Sequence, residues 1–255
     1  SNGASVTNND SGAAITKSSG NVTVTGSTTN VSSKSGTAIV ATGDAEVSVT
    51  DATVSGGNGT AISSVKAVTL NNAKVKGGVS TGSDVVLNPG AVIDTTSYDA
   101  SAVNGAKSLT ANGTGTDAAS VVTVESKSTS ATVNNIANDV KLAYTNVSNA
   151  SGDAIANTGG SVSLTGVSAV TSTAGNGITG TKGSVAIGDS THASSVTGGI
   201  NGISATTGNV TVNSGSSVTG TTGAAITGTA GTDGVTINSA TITGGNGGIV
   251  DTTNG

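Results

Sequence analysis

The chain has 255 residues, 40 of them Gly, with 9% charged residues and a net charge of -5. The absence of Cys, Met, Trp and Phe excludes disulfide scaffolding, a thiol nucleophile, thiolate metal sites and a core built on large aromatics. Nine scattered basic residues on an acidic chain give no footprint for nucleic acid, and no apolar run approaches the ~18 residues of a membrane-spanning helix.

From the N-terminus the apolar residues come in a cycle of three. Ile15 closes the phrase SGAAI, Val22 and Val24 flank Thr23, and Val31 stands alone among turn formers. The cycle repeats as Ile39 in SGTAI, Val47/Val49 and Val54, then as Ile62 in NGTAI, Val68/Leu70 and Val75. An apolar–small–apolar triplet is the period-2 mark of a short strand with one buried face. The Gly, Asn, Ser, Thr and Asp between such marks take left-handed conformations or bond their own backbone.

After Ile62 the Gly-to-Ile phrase does not return until Ile155, 93 residues on and close to four repeats of 23. Triplets continue at Val85/Leu87, Leu109/Ala111, Val122/Val124 and Val140/Leu142, with single apolar residues at Val92, Val133 and Val147. Three coil lengths fall to 17, 13 and 18, so residues from about 77 to 150 read as irregular coils. This stretch holds Pro89, both tyrosines and Lys107. Loops on a rigid scaffold often carry recognition, which makes Tyr98, Lys107 and Tyr144 the candidate binding residues. From Ile155 in SGDAI the cycle is regular again, through Val162/Leu164, Val167, Ile178, Val185/Ile187, Val196 and onward to Ile249.

Three short strands and three corners in 20–25 residues make one turn of a triangular solenoid. One coil cannot bury its own apolar face, so neighbours must stack. The prediction is an all-β, right-handed parallel β-helix of about eleven coils, with the hand set by the preference of parallel crossovers. It forms one domain over residues 1–255. No capping segment is recognisable, and a piece of a longer rod is expected. A β-sandwich with strands 8–12 residues apart does not explain the near-constant Gly-to-Ile returns.

Chemistry-bearing motifs are sparse. His192, the only histidine, lies in DSTHASS and reads as a solvated turn residue. One His and no Cys support no zinc site. The acidic residues do not align on one face by coil, so no carboxylate pair is assigned to catalysis. GNGITG from Gly175 to Gly180 is followed by no helical pattern and reads as a corner. No catalytic residue, metal or cofactor is predicted. Eight Asn-x-Ser/Thr triplets, Asn146 and Asn149 among them, are glycan acceptor patterns that a Ser/Thr-rich chain also produces by chance.

The phrases SGTAI and SGDAI, joined to GNVTVTGS, GSVSLTGV and GNVTVNSG, resemble large bacterial exoproteins. These are autotransporter passenger domains and filamentous-haemagglutinin-like proteins of two-partner secretion. The resemblance implies export to the bacterial surface or medium, tethering at the outer membrane, and roles in adhesion, aggregation or biofilm. The expected function is an adhesive or structural stalk, not an enzyme. Its expected partners are copies of itself, or host surface, matrix or glycan ligands, with no nucleic acid, membrane insertion or small-molecule substrate. An ice-binding solenoid and a polysaccharide-processing β-helix are the alternatives. Against the first, the central residues of the triplets are mixed and interrupted by Lys141.

Overall fold

The computed structural model describes residues 3–180, 182–205, 208–228 and 234–251. Among them every regular element is a β-strand and every strand pairing is parallel, giving a solenoid of about ten turns. Each turn supplies three strands, and each strand stacks on its equivalent one turn away. The first face is a 10-stranded sheet from Val22–Thr25 to Val235–Ile237. The second and third faces form one 20-stranded sheet, because Thr53–Ser64 and Lys74–Thr81 run through the corner between them.

The apolar cycle becomes a set of inward ladders. Val22, Val47, Val68 and Val85 pair in register on the first face, and Val24, Val49, Leu70 and Leu87 form a second ladder beside them. The Gly-to-Ile phrases are a single ladder on the third face, with Ile15, Ile39 and Ile62 at one end and Ile155, Ile178, Ile203 and Ile226 further on. Val79, Val103 and Val133 occupy the same position across the intervening gap, which is therefore crossed in four steps. Within the stack these side chains are nearly inaccessible. Burying each one contributes roughly 1.5–3 kcal/mol relative to leaving it exposed.

The turn count is close to the eleven expected, and the difference has a definite origin. Val122 and Val124 do not open a coil. They lie in Val122–Ser126 on the second face, paired with Val92–Asp94 and Thr145–Asn149. The expected coils of 13 and 18 residues are thus one coil, from Leu109 to Val140, with residues 113–121 inserted at the corner between the first and second faces. Most of the single apolar residues, such as Val31, Val54, Val75, Val147 and Val196, are buried in the second face, but three depart from that pattern. Ile93 points inward in place of Val92, Val170 in place of Val167, and Val133 belongs to the third face.

Polar residues inside the corners replace the hydrogen bonds lost where the chain leaves the sheet. At the corner between the second and third faces, Ser33, Ser172 and Asn149 donate to turn carbonyls, those of Gly12, Gly152 and Asp153 respectively. In other coils this position is Gly56, Gly198 or Gly220. A Cβ there would sit about 1.8–2.0 Å from the carbonyl oxygen of the turn itself. The column therefore alternates between two solutions: a polar side chain that bonds the turn, or no side chain and a turn folded tightly in.

Candidate binding groove at the first corner

The three residues expected to mark a site lie at three different corners. Tyr98 is half-buried in the loop between Val92–Asp94 and Val103–Asn104, against Gly59 of an earlier coil. Lys107 is exposed between the third and first faces, on the rim of a shallow depression of about 270 Å³ with Asp84, Asp139 and Lys141. Tyr144 is half-buried between Val140–Ala143 and Thr145–Asn149, at the corner that carries the 113–121 insertion. No single site unites them.

Tyr144 instead meets His192, two coils along the same corner. Its hydroxyl is 2.9 Å from His192 Nε2, and the rings pack edge to face with centroids 5.5 Å apart. On the other side of the imidazole, Nδ1 lies 2.7 Å from Thr191 Oγ1 and 3.3 Å from Asp189 Oδ1. The tautomer protonated at Nδ1 satisfies every partner: the ring donates toward Thr191 and Asp189 and accepts the Tyr144 hydroxyl. Asp189 also accepts from the Thr191 hydroxyl, the Gly166 N–H and the backbone of Thr191 and His192. These donors hold its carboxyl far below the ordinary value of 3.8. Burial, the opposing influence, is outweighed. His192 is therefore a member of a four-residue pillar and not a free turn residue. Asp189-x-Thr-His is visible in the sequence as a self-bonding turn, but the partner 48 residues away is not.

Behind this pillar runs a buried ladder of hydroxyls. Thr145, Ser168, Ser194 and Ser216 occupy one inward column and are at most 4% exposed. Each serine oxygen accepts from the N–H of the preceding member, at 3.1 Å from Thr145, 3.3 Å from Ser168 and 3.1 Å from Ser194. Ser168 and Ser194 also donate to carbonyls of the corner, those of Thr165 and Gly166. The column pins the corner so that the next residue of each strand faces outward in register.

Those outward residues floor an open groove of about 310 Å³. Asn146, Ala169, Ser195 and Ser217 follow one another coil by coil along the floor. Val167 and Ala193 form the corner-side wall, and Thr116 and Val121 of the insertion close one end. Asp117 fixes the insertion, bonding the Ala119 N–H at 3.0 Å, and its carboxyl is lowered mainly by the Ser120 hydroxyl. No charged residue lines the groove. Beyond it the second face carries hydroxyls at Thr171, Thr197, Thr219 and Thr243, a column in register over four coils. Among the described residues no group of three or more His, Cys, Asp or Glu could hold a metal ion. Of the glycan acceptor patterns, Asn149 is 1% exposed and committed to its turn, whereas Asn146 is open in the groove.

Comparisons with protein-family models, curated proteins and solved structures gave no match.

Proposed function

We propose that the chain is the rod of a secreted or surface-tethered bacterial adhesin, a rigid spacer that also makes contacts. The observation that carries this reading is the distribution of departures from the repeat. A uniform parallel stack fixes a stiff scaffold, and its longest coil spends the added residues on a wall at one exposed corner. Scaffolds that place irregular loops on a regular frame are commonly binding frames. The lack of Cys and the small, weakly charged side chains suit a chain exported before it folds. Partners are copies of the same chain or neutral surface and matrix ligands. Beads coated with the purified chain test this directly. Clumping or attachment to cells is the expected result, and beads that do neither would reduce the chain to a passive spacer.

A second reading, ice binding, rests on the second face. The hydroxyl regularity that the first-face triplets lack is present in the Thr171, Thr197, Thr219 and Thr243 column, with Ser195, Ser217 and Thr241 in the column beside it. Thermal hysteresis in a solution of the chain would move the function to this face. Its absence would end the reading. The groove lining includes no carboxylate, so polysaccharide cleavage gains no support there.

A further inference from the structure

We propose that the corner groove binds a neutral, hydroxyl-rich polymer: an uncharged polysaccharide strand laid along the solenoid axis. The proposal deepens the attachment reading and rests on it for the setting in which the ligand is met.

The first support is unspent hydrogen-bonding capacity. Asn146, Ser195 and Ser217 on the floor and Thr116 on the insertion turn polar side chains to one groove, and none of these side chains has a protein partner. Elsewhere at this corner hydroxyls are consumed, as Thr145, Ser168 and Ser194 are in the inward ladder. A hydroxyl or amide side chain both donates and accepts. Sugar hydroxyls do the same, so the two sets match without any fixed charge. The floor positions recur once per coil, about 4.8 Å apart, which is the scale of a single sugar ring.

The second support is the apolar wall. Val167 is 47% exposed although it stands in the middle of the stack. With Val121 and Ala193 it offers a surface for the C–H face of a sugar. A concave site with an apolar wall and a few convergent polar groups is the usual form of a ligand site. The third is charge. Acidic polymers and cations find no counter-charge in the lining, and both carboxylate oxygens of nearby Asp189 are already engaged. An extended peptide would bind by adding to a free strand edge. The strands under the groove are paired on both sides, so no such edge is offered.

Affinity electrophoresis of the whole chain tests the proposal, in gels containing dextran, mannan, galactan, xyloglucan or a β-1,3-glucan, with alginate as the acidic comparison. The expected result is retardation by at least one neutral polymer and none by alginate. Val167→Asp combined with Ser217→Asp should weaken retardation at least tenfold, and Thr116→Lys, in the exposed insertion, should weaken it independently. Thr23→Asp on the first face should leave it unchanged. Circular dichroism of each variant confirms that the stack is intact. No retardation by any neutral polymer, equal retardation by alginate, or groove variants that bind like the parent would overturn the proposal. Coated beads that still attach when no polymer retards the chain overturn the groove and leave attachment standing. Retardation with inert beads does the reverse.

Discussion

Tyr144 and Asp189 show how few side chains hold the first corner. Tyr144 adopts a left-handed backbone conformation, φ 45°, and its ring covers Gly166. Tyr144→Phe keeps the ring and removes only the bond to His192. The expected cost is about 0.5–1.5 kcal/mol in a denaturant melt, with a shifted imidazole resonance of His192. An unmoved resonance would mean that the bond does not form in solution. Asp99, Asp117 and Asp189 all have carboxyls lowered below 3.8, chiefly by hydroxyls of Ser128, Ser120 and Thr191 respectively. A depressed folded-state value contributes stability above the unfolded value, and that contribution is lost as pH falls through the folded one. Glu125 runs the other way. Burial, and then Asp94, raise its carboxyl above 4.5, so its strain is relieved as pH falls. Acidification below about pH 3.8 should therefore loosen the 95–102, 113–121 and 188–194 corners while the ladders persist. Amide exchange at those corners should rise with no change in far-ultraviolet dichroism. Uniform loss of both signals would contradict this assignment of the carboxylates.

Strands and corners differ in how much of them could be read from the chain. The triplets were legible because two inward side chains flank one outward residue, and that alternation survives any change of coil length. Lone residues such as Val92 and Val167 were not, because the phase of a strand depends on where the preceding corner ends. Val122/Val124 imitated a first-face triplet for the same reason: the second face also alternates, and only pairing with Thr145–Asn149 assigns it. The groove was hidden more deeply, since its walls come from Thr116 and Val167 on separate coils. The inner corner column gives a direct test of the two solutions described above. Gly220→Ala places a Cβ about 2.0 Å from the Ala224 carbonyl oxygen. Overpacking of that kind costs about 1–3 kcal/mol. Ser172→Ala leaves the Gly152 carbonyl and the Gly175 N–H without their partner. That loss is also worth about 1–3 kcal/mol. Thermal melts of both variants should show destabilisation, and a neutral Gly220→Ala would refute the close approach.

Taken as a whole, the solenoid depends little on charge. Lys66–Asp44 at 3.3 Å and Lys141–Asp139 at 3.8 Å are exposed pairs of the kind that contribute ~0–1 kcal/mol. On the second face the strands from Thr145–Asn149 to Thr241–Gly244 carry no charged side chain. Unfolding midpoints should stay nearly constant from low to molar sodium chloride, where the screening length falls to about 3 Å. A steep salt dependence would mean that long-range charge interactions, and not the apolar ladders, set the stability. Because each coil contacts mainly its neighbours, stability is approximately a sum over coils and interfaces.

That additivity has a genetic consequence for the groove. Tandem repeats can be gained or lost by recombination, and a stack tolerates gain or loss of a coil because each ladder simply re-pairs with the next rung. The groove has no such tolerance. Thr116 and Val121 close it from one coil, while Asn146, Ser195 and Ser217 floor it from later ones. Deleting a single coil between them would preserve the rod and set the wall against the wrong floor. Copy number in this stretch is therefore under a constraint that copy number elsewhere escapes, and natural length variants should differ outside the interval from residue 113 to residue 217.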